Sequence, residues 1–337
     1  MKRATLGIAV VVLLLLTGRL MPAVAWDRGD TEVFAVVPYL PGNVPVSIEG
    51  LTVGPDGTVY TPSFGFNSEG AVNGPPHLFS FRPDGALLYD KALVNPAPSP
   101  QPSPHLLGLV YQSSSKTLLI CDLAQGIVWQ ANPATGKATV FMDTGLGAGS
   151  GLNALTFDGA GNAYVSDSFQ GVIWKTGPNG GAPMVFVDSQ TLSPQAANGV
   201  ILVPPFGANG VEFDKKFTAM YVANTAYHSI VKVPVTLNHD GSVSPAGQAA
   251  VLTTGINAPD GIAVDPRGNL WVVANQQDEV DVVDPNAIDR LGVTLPKVIA
   301  RRGDFNGIDE DGTIRGCRGP SRSTTTRSPK SEPRSLR

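Results

Sequence analysis

Cysteine, charge and long apolar runs are all scarce in this 337-residue sequence, and each scarcity excludes something. Cys121 and Cys317 are the only cysteines, too few for a disulfide framework or a four-cysteine zinc site. One falls at a predicted strand end and the other in an atypical tail, so they are not expected to pair. No His-Glu-x-x-His and no Gly-x-Ser-x-Gly run occurs, which leaves a helical zinc hydrolase and a serine nucleophile unsupported. The one long apolar run, Leu6 to Leu16, follows Lys2 and Arg3 and precedes Ala23-Val24-Ala25. That order is expected of a secretory signal over residues 1–25, placing the mature protein outside the cell or in a periplasm. No later segment is apolar enough to cross a bilayer, so no membrane span is expected after cleavage.

Charged residues make up 15% of the chain, and their placement is uneven. Residues 26–314 hold 14 Lys and Arg against 27 Asp and Glu, a net charge of −13 that the overall −4 conceals. Such a body disfavours nucleic acid and anionic lipid and suits a cation. Residues 315–337 carry seven Lys and Arg, with Cys317 and Leu336 as their only apolar residues. They are read as a disordered basic tail.

With 38 Gly and 29 Pro, the sequence is rich in turns, and the turns recur. Asp260-Gly261-Ile262-Ala263-Val264, a polar Pro-Gly tetrad, and Leu270-Trp271-Val272 form a hairpin pattern. Related units begin at Gly50, Gly108, Ala154 and Gly210. A spacing near 50 residues is that of β-propeller blades. A further strand-like run precedes each hairpin and a third usually follows it, as at Gly126, Gly171, Ser229 and Glu279, giving four strands per blade. Glu32 to Val37 is read as an outer strand that pairs with the last blade and closes a ring of six. The inner strands of that sixth blade do not arrive before the tail begins, so it is expected to be incomplete, through truncation or a change of frame.

The residue before each unit carries the chemistry. Glu49, Leu107, Asn153, Asn209 and Asp260 occupy equivalent positions. In a propeller such positions converge on the axis. Two carboxylates and two amides meeting there repel and are poorly solvated unless a cation joins them, and Ca²⁺ prefers hard oxygen ligands. Glu49, Asn153, Asn209 and Asp260 are therefore the expected metal ligands. Asp122, Asp167, Asn224 and Asn275 recur at the far end of each hairpin and are expected to cap turns; Trp129, Trp174 and Trp271 are read as blade packing.

These motifs resemble the senescence-marker-protein, gluconolactonase and luciferin-regenerating-enzyme family, and more remotely the paraoxonases and strictosidine-synthase-like proteins. The resemblance covers residues 30–310. It implies an all-β, six-bladed propeller with a divalent ion, usually Ca²⁺, that hydrolyses small-molecule lactones or related esters. It implies metal-ligand roles for Glu49, Asn209 and Asp260. Asn153 matches a residue that binds substrate in one branch and metal in another. Asp260 doubles as general base; His105, near the place of the paraoxonase-like branch's histidine, is the alternative. Two other readings stay open: a non-catalytic propeller presenting its rim to a protein or carbohydrate, and a strictosidine-synthase-like protein without metal catalysis. The departures from the family pattern are Leu107, which offers no polar group, Gly261, which gives no fifth ligand, and the missing final blade.

Overall fold

A computed structural model describes residues 33–67, 70–71, 75–94, 105–277, 279–287, 297–302, 307–308 and 314–315. The expected signal at residues 1–25 and the tail beyond Arg315 lie outside them.

The hairpin pattern builds antiparallel sheets ordered from the inner strand outward. The first sheet contains Thr52–Val53, Val59–Pro62, His77–Phe81 and Leu87–Ala92. The second contains Leu106–Gln112, Thr117–Asp122, Ile127–Ala131 and Ala138–Asp143. The third contains Leu152–Phe157, Ala163–Asp167, Val172–Gly177 and Gly180–Asp188. In the fourth, Ala208–Phe213, Ala219–Asn224 and Ser229–Leu237 are completed by Ala250–Thr254, and Val243–Pro245 pairs with the far end of the long third strand. The fifth contains Pro259–Val264, Leu270–Ala274, Glu279–Asp284 and Lys297–Arg302. Each sheet is one blade, and the inner strands of successive blades lie side by side.

The core is divided among the seams between blades. Tyr60 and Leu78 of the first blade pack with Leu106, Leu109, Leu118 and Ile120 of the second. Leu119, Cys121 and Val128 meet Leu152, Leu155 and Val165 at the next seam. Tyr164 and Ile173 meet Val211, Phe213 and Val222, and Tyr221 and Ala223 meet Leu270 and Val272. Alternation along each strand makes this possible, since odd and even positions serve opposite neighbours.

Two expectations are corrected. Among the described residues there are five blades, not six, and Glu32 to Val37 is not an outer strand of the last one. Residues 33–37 carry no strand; Ala35, Val37, Val44 and Val46 instead pack with Leu40 on Val59, Phe79 and Phe81, the side of the first blade turned away from the second. Burial of that apolar face outweighs strand pairing with a distant edge. Gly307–Ile308 and Ile314–Arg315 pair only with each other.

Among the described residues the ring is therefore open between blades five and one. Leu51 is 67% exposed, whereas its equivalents Leu109, Leu155 and Val211 are 7%, 8% and 4% exposed against a preceding blade. Val273, on the opposite side of the gap, is exposed as well.

Candidate functional site

A bulge marks the ring residue and the residue after it in each of blades two to five. Inner-strand pairing skips between Leu106 and Leu109, Leu152 and Leu155, Ala208 and Val211, and Pro259 and Ile262. The skipped residues are Leu107-Gly108, Asn153-Ala154, Asn209-Gly210 and Asp260-Gly261. A bulge releases a residue from the ladder and re-aims its side chain, so the positions picked out by the repeat leave their own sheets at the axis. In blade three the Ser166 hydroxyl spans the gap, accepting from Ala154 N and donating to Ala154 O.

The glycines bring these bulges together. A Cβ on Gly50 would stand 2.6 Å from Leu107 O and 2.9 Å from Gly108 Cα; one on Gly108 would stand 2.5 Å from Asn153 O and 2.9 Å from Ala154 Cα. One on Gly210 would strike Asp260 O and stand 2.9 Å from Gly261 Cα. Absent side chains thus let the ring dipeptides of blades one, two and four touch the next.

Glu49 and Asp260, on the first and last blades, are the two carboxylates of this ring. Glu49 keeps exposed surface while protein groups surround it. Its carboxyl is pushed well above the usual range, first by desolvation and then by the charge of Asp260. Desolvation likewise raises Asp260, to about 6, against the opposing hydrogen bonds of Asn209 and Asn275; Asn275 Nδ2 donates to Asp260 Oδ2 at 3.2 Å.

The amides are oriented by two hydroxyls that sequence reasoning missed. Asn153 Nδ2 donates to Ser168 Oγ at 3.2 Å, and that hydroxyl donates to Ala208 O at 2.8 Å. One blade on, Asn209 Nδ2 donates to Thr225 Oγ1 at 3.0 Å, which donates to Pro259 O at 2.7 Å. Each relay holds an amide nitrogen and ties its blade to the backbone just before the next ring residue. The available signal was the hydroxyl residue directly after Asp167 and Asn224 at the far hairpin ends.

Both Asn side chains are buried, and Asn209 Oδ1 has no hydrogen-bond partner. An orphaned buried amide oxygen is costly unless something outside the protein meets it. Two adjacent raised carboxyls and this oxygen fit a hard divalent cation. Among the described residues no group of three His, Cys, Asp or Glu converges, so the donor set is half acid and half amide.

The other expected residues have different surroundings. His105 lies two residues before Leu107. Its backbone N donates to Asp122 Oδ1 at 3.1 Å, and its ring stands 5.9 Å from that of Phe64. Burial lowers its pKa, favouring neutral imidazole. Leu107 is buried and supplies no polar side chain. Asp122 and Asp167 do cap turns, accepting from Ala124 and Gln125, and from Phe169 and Gln170. They also accept the indole N–H of Trp129 and Trp174 at 3.0 Å. Cys121 is a free, buried thiol whose pKa is driven up by desolvation and then by Glu49.

The raised carboxyls fix a pH dependence. A carboxyl whose folded pKa exceeds its unfolded value binds more protons when folded, so stability falls as pH rises through that interval. Metal-free protein should therefore lose melting temperature between about pH 4, the ordinary carboxylate value, and pH values above 6, the level to which Asp260 is raised. The profile of Glu49→Gln/Asp260→Asn should be flatter over the same window. Parallel thermal-melt profiles of the two proteins would refute this.

A β-propeller with an acid and amide ring at its axis is the class that fold and site define. The chain belongs to the SMP-30/gluconolactonase/LRE-like family, whose region matches residues 90–300. Similar solved structures include regucalcin, a calcium-binding protein from Agrobacterium tumefaciens strain C58, with 20% identity over 81% of this chain and 80% of that one and a TM-score of 0.52. A gluconolactonase from Xanthomonas campestris is 17% identical over 81% and 84%, with a TM-score of 0.50. A chain of a nidogen/laminin complex is 16% identical over 77% and 80%, with a TM-score of 0.54. At these identities the likeness is one of fold. No curated protein matches the sequence. Among the described residues no helix is long and apolar enough to cross a membrane.

Proposed function

We propose that this exported propeller is a divalent-cation-dependent hydrolase of lactones or related esters, with Ca²⁺ as the expected ion. The observation that carries the reading is the pairing of two carboxyls whose charges oppose each other, Glu49 and Asp260, with the partnerless oxygen of Asn209. Membership of a gluconolactonase-like family and the fold shared with a calcium-binding regucalcin support it.

In this reading Glu49, Asn153, Asn209 and Asp260 hold the cation. When bound, the ion supplies Lewis acidity toward a lactone carbonyl and the oxyanion formed on it. The chain's own residues do the rest. Asp260 takes the proton of the attacking water; Asn275 and Asn209 fix its carboxyl for that task. Asn153, pinned through Ser168, is also placed to orient substrate. His105, neutral through burial, is the second proton acceptor.

The test is hydrolysis of γ- and δ-lactones by the purified chain, with thermal melts run in parallel. Calcium should raise the melting temperature, and EDTA should abolish turnover. Stabilisation by calcium without turnover of any lactone or aryl ester would favour the rim-binding alternative. Turnover unaffected by EDTA would remove the metal from the mechanism.

A further inference from the structure

Building on the lactone-hydrolase reading, we infer that the substrate is an uncharged lactone bearing an apolar alkyl or aryl substituent, not a polyhydroxylated sugar lactone. The ring residues stand at the start of the inner strands, so substrate reaches them from the end of the propeller where each blade hands over to the next. Connections 123–126, 144–151, 168–171, 189–207, 225–228 and 255–258 all lie at that end and contain no Asp, Glu, Lys or Arg; the sequence between Pro62 and His77 and that between Ala274 and Glu279 hold one acid each, Glu69 and Asp278. Charge collects at the opposite end, where the turns carry Asp56, Asp84, Lys116, Asp158, Lys215 and Arg267, among others.

Aromatic pairs stand beside the ring instead. Phe64, whose N–H donates to Ser47 O two residues before Glu49, lies against His105. Phe169 directly follows Ser168, the partner of Asn153. It stacks at 6.0 Å and 24° on Phe206, three residues before Asn209. All four rings are half-buried. Farther out, Leu146, Val200, Ile201 and Val203 are exposed, Val203 at 84%.

A polyol passing between these rings gives up hydrogen bonds to water and meets aromatic faces in exchange, which costs affinity. An alkyl or aryl substituent gains burial on the same surface. The body's charge of −13 opposes anionic substrates as well.

The test uses the full chain in calcium-containing buffer and two measurements. The first is kcat/KM for δ-lactones with side chains of one to seven carbons, beside glucono-δ-lactone. The second is calorimetric binding of 2-alkylcyclopentanones, which cannot be hydrolysed. Affinity and kcat/KM should each rise about fourfold per buried methylene over the first several carbons, with the sugar lactone poorest. Phe206→Ser should flatten both series and Phe206→Leu should largely keep them, melting temperature confirming that each variant folds; if Phe206→Ser does not fold, the wild-type series decides. Preference for the sugar lactone, or no dependence on chain length, overturns the inference while leaving the hydrolase intact. Chain-length-dependent ketone binding without hydrolysis of any lactone keeps the apolar mouth and overturns the hydrolase.

Discussion

Replacing Asp260 by Asn should lower lactone hydrolysis by at least about 100-fold, the usual scale for losing a general base. Asn is close to Asp in shape, so the contacts to Asn209 and Asn275 can be kept in altered polarity. What disappears is the proton acceptor together with one unit of negative charge. Glu49→Gln removes a charge but no proton acceptor; its loss should follow calcium affinity and be partly recovered by raising the calcium concentration. Calcium at about 100 times its dissociation constant stabilises a one-site protein by about 2.7 kcal/mol, and both variants should forfeit most of that shift at the same concentration. Without metal the order reverses: at pH 7.5 each variant should melt above the wild type, because a desolvated carboxylate has been neutralised. Variants that melt lower without metal and keep the full calcium shift would show that the two carboxyls are not a cation site. His105→Gln separates the two proton acceptors, since a loss as large as that of Asp260→Asn would move the proton to the imidazole.

The axial ring was legible because it rests on one residue per repeat, and Gly50, Gly108, Gly210 and Gly261 mark the place in four of five copies. The bulges were not legible, since a skipped ladder position belongs to the pairing of two strands. Thr225 and Ser168 escaped for a related reason: their partners lie 16 and 15 residues back and in the following blade. His77–Phe81 was missed as the third strand of the first blade because residues 63–76 stretch the usual short connection. Glu32 to Val37 is an apolar run like that of a strand, but such a run cannot choose between a ladder and an apolar face, and Val59, Phe79 and Phe81 offered the face. The tryptophans read as packing alone because an indole's bulk shows in sequence and the destination of its N–H does not; Asp122 and Asp167 supply it.

Gly210→Ala and Gly261→Ala make the same chemical change at the same position of neighbouring repeats, and their outcomes should differ sharply. A methyl group on Gly210 runs into Asp260 O and stands 2.7 Å from Ile262 N, backbone atoms of the next blade that cannot swing aside. The two blades must part, at a cost of about 1–3 kcal/mol by analogy with overpacked cores. That corresponds to a fall of several degrees in melting temperature. On Gly261 the methyl finds only Val273 Cγ2, at 3.8 Å, an ordinary contact, so the melting temperature should stay within about a degree. Ala154 shows that one seam, between blades three and four, already accommodates the extra carbon. The contrast tests the open ring directly, because a sixth blade packed beside the fifth would put backbone over Gly261 as the fifth does over Gly210. Equal destabilisation by both substitutions would mean that the gap is filled. Separation of blades four and five also draws Asp260 from Asn209, so Gly210→Ala should weaken calcium binding without touching a ligand, whereas Gly261→Ala should leave it unchanged.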